Sequence, residues 1–206
     1  MFEYFNRDID ENTLFISDTH FFRNVREFDN PYTKKTFYQS RGFETIDEMN
    51  NYIIKKWNEK VSENDTVYHL GDFSNGSLKE TIDLRDKLNG KIHLIIGNHD
   101  FNLLKYKKFI DLFESVKDYD ECFINNKKVI LCHYPILYYN KNNDEGIMLY
   151  GHIHNSFTEK NMMKNITKNI RLYSAGMNYS CNYINCYCEI FDYKPQTLNE
   201  LIAINK

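Results

Sequence analysis

Residues Ile92 to Asp100 read "IHLIIGNHD": four aliphatic residues around a histidine, then Gly97, Asn98, His99 and Asp100. Such a short, almost wholly apolar run suits a strand buried on both faces, and glycine with asparagine ends it in turn chemistry. A turn alone has no need of a histidine beside an aspartate. By itself the stretch is a strand exit; whether it is also a reaction centre depends on what the other strand exits carry.

"TLFIS" (Thr13 to Ser17) reads as a second buried strand, running into Asp18, and "DTVYHL" (Asp65 to Leu70) as a third, entering Gly71-Asp72. Between them, Ile46, Met49, Ile53, Ile54 and Trp57 recur at threes and fours, so a helix is expected from Thr45, opened by a capping box with Glu48. Ser77 to Leu88 is expected to form another helix, with a box of Ser77 and Glu80 and a stop at Asn89-Gly90. A short helix is expected over Leu103 to Phe113. Beyond it the pattern turns β-rich. "ECFINNKKVILCHYP" predicts a hairpin turning at Asn125-Asn126 with its second strand ending at His133, and "GIMLYGHIH", "NIRLYSAG" and "INCYCEIFDY" predict further strands. Alternating strands and helices followed by a β-rich half imply an α/β fold, with two sheets or one large one flanked by helices. With no internal repeat, low-complexity tract or Pro/Gly/Ser linker, residues 1–206 are assigned to one domain.

Hydrophobic residues make up 42% of the chain and charged residues 27%, ordinary values for a soluble globular protein. The formal net charge of −3 gives no global attraction to nucleic acid or anionic membrane. Lysines cluster locally at Lys34/Lys35, Lys105/Lys107/Lys108, Lys127/Lys128 and Lys160 to Lys168, but short runs of this kind read as solvated faces, so no clear nucleic-acid patch is expected. The start, "MFEYFNRDID", lacks the pattern of a secretory signal, and no apolar stretch approaches bilayer length. Five cysteines without CxxC spacing fit reduced thiols, and Cys186 and Cys188 alternate with Tyr187 as core residues would. A cytoplasmic location without membrane attachment is expected.

Five of the seven histidines stand at predicted strand exits: His20, His99, His133, His152 and His154. The exits read "SDTH", "LGD", "GNHD", "LCHYP" and "YGHIHN", and in open α/β sheets such exits gather reactive groups over a rigid support. In an extended segment residues i and i+2 face the same side, so Asp18 with His20, and His152 with His154, can each offer two ligands together. Adding Asp72, Asn98 and His133 gives seven oxygen and nitrogen donors, too many for one ion and suited to two, with Asp72 as the bridging carboxylate. The absence of thiolate favours manganese, iron, zinc or nickel, manganese foremost. Taken singly, each residue has a plainer role, as a strand-end hydrogen bonder, a helix cap or a turn residue. Their joint occurrence carries the metal reading. His69 and His93 lie inside strands and read as structural.

The ordered set "SDTH", "GDF", "GNHD", "CHYP" and "GHIH" resembles the calcineurin-like metallophosphoesterase family, especially its small bacterial and phage members, over about Leu14 to Leu201. The resemblance implies a four-layer α/β/β/α sandwich with a two-metal centre at the strand ends. It implies that Asp18, His20 and His154 hold one ion, that Asn98, His133 and His152 hold the other, and that Asp72 bridges them. It also implies that His99 is catalytic and that Asp100 accepts its hydrogen bond. Two places depart from the family pattern: "GDFSNG" puts Asn75 and Gly76 where many relatives have an acid and an arginine, and Phe22 and Arg23 follow the first motif where glycine and histidine are common.

The expected activity is hydrolysis of phosphodiester bonds in small soluble substrates, nucleotides included. The nucleophile would be a metal-bridging hydroxide and His99 the general acid. Arg23 and Arg26 are candidate clamps for a substrate phosphate. Tyr134, Tyr138 and Tyr139 could stack on a base, although core packing or loop anchoring is the plainer reading. The alternatives are a phosphomonoesterase or dinucleotide-polyphosphate hydrolase using the same centre, or a non-catalytic scaffold of the same fold. Retention of every expected donor and of His99 argues against the scaffold.

Overall fold

Alternate residues of the strands face different cores, as the two-residue period of a pleated strand requires. The computed structural model describes residues 7–25, 35–140, 146–173 and 182–204. Its strands are β1 (Arg7–Asp8), β2 (Leu14–Ile16), β3 (Thr66–His69), β4 (Lys91–Ile95), β5 (Ser115–Lys117), β6 (Tyr119–Ile124), β7 (Lys127–Cys132), β8 (Ile147–Tyr150), β9 (Asn182–Asn185) and β10 (Gln196–Thr197). They form two five-stranded sheets, ordered β10-β2-β3-β4-β5 and β1-β6-β7-β8-β9. In the first sheet β2 to β5 are parallel and β10 is antiparallel; in the second, β7, β8 and β9 are parallel neighbours.

Phe15, Tyr68, Leu70 and Ile95 of the first sheet pack on Cys122, Val129, Leu131, Ile147 and Leu149 of the second, forming the core between the sheets. The opposite faces are covered by helices. Leu14, Ile16, Val67, Ile92 and Leu94 meet Met49, Ile53 and Trp57 of α2 (Ile46–Lys60) and Leu84 of α3 (Leu78–Arg85), which follow a short α1 (Phe37–Ser40). On the far side Ile130, Met148 and Tyr150 of the second sheet pack with Met163 of α6 (Phe157–Tyr173). The short α4 (Phe101–Leu104) and α5 (Lys107–Ile110) precede β5, and α7 (Leu198–Ile204) closes the described chain. This is the four-layer α/β/β/α sandwich the resemblance implied.

Local expectations mostly hold, with instructive exceptions. The Asn125-Asn126 turn has φ of 50° and 63°, as a two-residue hairpin demands. Ser77 and Glu80 form the full capping box, but at Thr45 only half forms, because the Glu48 carboxylate takes the Glu44 N–H instead. The helix expected over Leu103 to Phe113 is two separate turns, α4 and α5. "NIRLYSAG" is not a strand where it is described: Asn169 to Tyr173 complete α6, and the rest of it lies outside the described residues. The strand in "INCYCEIFDY" stops at Asn185, and Cys188 begins a 3₁₀ turn (Cys188–Phe191), although Cys186 and Cys188 are buried as core residues. Cys181 lies outside the described residues. No described helix is long and apolar enough to cross a membrane.

Candidate metal centre

Because β2, β3 and β4 are parallel neighbours, the residues after them leave the same sheet edge; β7 and β8 do the same in the second sheet. The two edges are stitched together by backbone. Ser17 N–H donates to Cys186 O at 2.9 Å, Cys188 N–H to Ser17 O at 3.1 Å, and Cys186 N–H to Tyr150 O at 2.7 Å. Glycines permit the closest approaches. A Cβ at Gly97 would stand 2.3 Å from the Asp72 carboxylate, and one at Gly151 would stand 2.4 Å from the Asp18 carboxylate.

Asp18 with His20, and His152 with His154, are not paired by an extended pleat. Asp18, His20, Asp72, His152 and His154 have φ of 57°, 49°, 58°, 70° and 48°. The backbone at these exits is left-handed, not extended, and it is this alternation that aims the paired side chains together. Each such residue costs on the order of 1 kcal/mol, so the conformation must be held by its surroundings. Arg41 holds it from behind, its Nη1 donating to Thr19 O at 2.8 Å and its Nη2 to Asp18 O at 2.7 Å, with the guanidinium stacked 4.3 Å from the Phe37 ring. His152 N–H donates to the Asp18 carboxylate at 3.1 Å. His69, buried under the first motif, lies 2.9 Å from Thr19 Oγ1 through Nε2. His93 stacks on Tyr68 away from these exits, with ring centroids 4.6 Å apart.

Asp18, His20, Asp72 and His154 bring one ligand atom each within 4.8 Å of one another. Within this set His20 Nε2 lies 3.0 Å from His154 Nε2 and 3.5 Å from Asp72 Oδ2, and His154 Nε2 lies 3.5 Å from Asp18 Oδ1. A second set adjoins it. Asn98 Oδ1 lies 3.1 Å from His133 Nε2 and 3.0 Å from His152 Nδ1, and His133 Nε2 lies 3.6 Å from Asp72 Oδ2. Ligands about 2.1 Å from one ion are about 3.0 Å apart at octahedral and about 3.4 Å apart at tetrahedral positions, so both sets have the spacing of a coordination shell.

The donor chemistry fits as well. His133 Nδ1 donates to Leu70 O at 2.8 Å, which leaves the Nε2 lone pair facing the Asn98 oxygen, acceptor against acceptor. His20 Nδ1 lies 3.0 Å from Asn75 Oδ1, an acceptor, and its Nε2 likewise turns to the cluster. Such outer hydrogen bonds set the tautomer of metal-binding histidines. Burial, then the Arg41 charge, drives the His20 pKa well down, keeping its imidazole neutral, and burial pushes the Asp72 carboxyl up to about 7. Converging lone pairs and a carboxylate short of positive charge are the features a bound divalent cation would relieve.

His99 lies beside the cluster, its ring centroid 5.1 Å from that of His20. Its surroundings differ from those expected. Arg23 Nη1 lies 2.8 Å from His99 Nε2 and Asn75 Nδ2 lies 3.3 Å from Nδ1. Burial, then the Arg23 charge, pulls the His99 pKa to about 4. Asp100 does not take a hydrogen bond from this ring. Fully buried, its carboxylate accepts the backbone N–H groups of Asp72 (2.9 Å), Phe73 (2.9 Å) and Gly97 (2.8 Å). Asp100 is thus a clamp between the β3 and β4 exits. Arg26 lies outside the described residues.

Two residues of this site were not proposed from sequence. Asn75, noticed only as a departure from the family pattern, touches both His20 and His99. Gly76 beside it admits the Phe22 ring, which a Cβ there would meet at 2.7 Å, so the two departures accommodate one another. Arg41 stands in no motif, and nothing in "QSRGF" points to its role.

Residues 12–176 match the family described as the calcineurin-like phosphoesterase superfamily domain. An uncharacterized protein of Methanocaldococcus jannaschii is 31% identical over 191 residues, spanning 92% of this chain and 88% of the relative. The gene 66 protein of a Mycobacterium phage is 32% identical over 93 residues, 43% of this chain and 40% of its own length. Among solved structures, a protein of unknown function from Aquifex aeolicus superposes with a TM-score of 0.60 at 23% identity, covering 93% of this chain and 98% of the other, a likeness of fold.

Proposed function

The chain belongs to the calcineurin-like phosphoesterase superfamily, and we propose that it is a two-metal phosphodiesterase acting on small soluble phosphodiesters. One observation carries the reading: Asp72 Oδ2 stands between the two donor sets, 3.5 Å from His20 Nε2 and 3.6 Å from His133 Nε2. A single carboxylate shared by two shells is the arrangement that offsets repulsion between neighbouring dications. When bound, two such ions, with manganese favoured, supply an activated water as nucleophile and positive charge for the phosphoryl oxygens.

The chain's own residues do the rest. Asp18, His20 and His154 hold one position, Asn98, His133 and His152 the other, and Asp72 joins them. Asn75 fixes the His20 ring through Nδ1 and steadies His99. Arg23 receives a phosphoryl oxygen on its guanidinium. Burial first and the Arg23 charge second keep the imidazole unprotonated; an anion entering between Arg23 and His99 offsets the second and favours protonation, and His99 then donates its Nε2 or Nδ1 proton to the departing alkoxide.

The test is turnover of bis-p-nitrophenyl phosphate with manganese and after chelation, followed by His99→Ala against an unactivated diester, whose poor leaving group needs the proton. Manganese-dependent turnover, with a larger His99→Ala loss on the unactivated ester, is expected. Equal losses on both esters would remove the acid role, and silence toward diesters alongside turnover of monoesters would replace the substrate class.

A further inference from the structure

Tyr134, Tyr138 and Tyr139 follow the β7 exit, and the structure separates their roles. Tyr139 is buried, its hydroxyl donating to Gly146 O at 3.1 Å, whereas Tyr134 is 43% exposed. The Tyr134 ring lies at the rim of the centre, with its centroid 5.0 Å from that of His133 and 4.6 Å from that of His152. Neighbouring this loop is α6, which starts three residues after His154; Ile136 of the loop and Met163 of the helix pack on the same apolar cluster.

No residue of α6 whose exposure is described is buried, and its free face has a composition of its own. At 100° per residue Phe157, Lys164 and Lys168 fall within about 40° of one another, with Lys160 on the flank. Phe157 is 81% exposed, and all three lysines are exposed, with no ion pair of Lys164 or Lys168 among the described residues. Read singly in the sequence, Lys160 to Lys168 was a solvated run. In the fold it is a stripe on a helix that opens three residues after His154, headed by an exposed aromatic ring.

We propose that this rim docks a single-stranded nucleic acid, one base stacking on Tyr134 and another on Phe157 while the lysines track its phosphates. The inference rests on the phosphodiesterase reading and extends its substrate from a small soluble diester to a short single strand. Length decides for a strand over a mononucleotide, since three lysines one helical turn apart span about 12 Å, beyond the reach of one phosphate. Exposed rings decide for single strands, because only unpaired bases offer a free face. Anionic membrane and a second copy of this chain are the other occupants such a helix could take.

Fluorescence anisotropy of a short labelled oligothymidylate, titrated with the full chain in chelator and in manganese, tests this. Binding is expected in both conditions, with log K falling against log salt at a slope of roughly −2 for three phosphate contacts. The triple change Lys160→Glu, Lys164→Glu and Lys168→Glu should weaken binding at least about tenfold and flatten that slope. Tyr134→Ala should weaken it about tenfold while Tyr134→Phe retains it, since stacking needs the ring and not the hydroxyl. No binding, equal binding of a duplex, indifference to the lysine changes, or capture by phosphatidylserine vesicles in place of the strand would overturn the proposal. Turnover of bis-p-nitrophenyl phosphate, which carries no base and cannot reach α6, reports separately on the phosphodiesterase reading.

Discussion

The Asp100 carboxylate accepts the Asp72 backbone N–H at 2.9 Å, so the residue next to His99 in sequence serves the β3 exit and not the His99 ring. Through Gly97 and Phe73 it also ties that exit to β4. Asp100→Ala would leave three buried N–H groups without an acceptor and is expected to cost roughly 3 kcal/mol or more. Urea denaturation followed by far-UV circular dichroism measures it. A loss below about 1 kcal/mol would mean the clamp is dispensable.

Asn75 holds the outer nitrogen of His20 at 3.0 Å and approaches His99 at 3.3 Å. Removing an outer partner of a metal-ligating histidine typically costs 10- to 100-fold in metal affinity or activity, and Asn75→Ala is expected in that range. Competition with a chromophoric chelator gives the affinity and a diester assay gives the rate. Unchanged values in both would reduce Asn75 to a surface residue of the loop.

His69 is buried, and burial pulls its pKa from the ordinary 6.5 to about 3. The unfolded chain therefore takes up a proton that the folded chain refuses, and the contribution to stability is complete above about pH 6.5. It declines as pH falls from there to about 3, by at most about 1.4 kcal/mol per pH unit. Thermal unfolding across this window should show the decline, and His69→Gln, which keeps a donor for Thr19 Oγ1 but cannot titrate, should flatten it. A slope unaffected by the substitution would assign acid sensitivity to other groups.

Much of the site was legible because its donors stand next to features that a sequence displays plainly. Asp18, Asp72, Asn98, His133 and His152 each follow an apolar run, and a parallel sheet carries such exits to one edge. What escaped was the backbone between them. Nothing in "SDTH" or "GHIH" announces alternating left-handed residues, because that conformation is imposed by Arg41, Gly71 and the Asp18 carboxylate from elsewhere in the chain. Asp100 was misassigned for the same reason, since adjacency to His99 says nothing about which way a buried carboxylate turns. Similarly, "NIRLY" has strand-like residues, but it continues a helix that opens at Phe157, and an amphipathic pattern over 17 residues outweighs the local propensity of its last turn.

Two donor sets share Asp72. Elemental analysis of the full chain, saturated with manganese and then freed of loose ions by gel filtration, tests it most directly. Close to two ions per chain are expected for the natural sequence, with a fall in Asp72→Asn, which removes the shared charge while keeping its size. One ion or none in the natural chain, or two retained undiminished in Asp72→Asn, would contradict it.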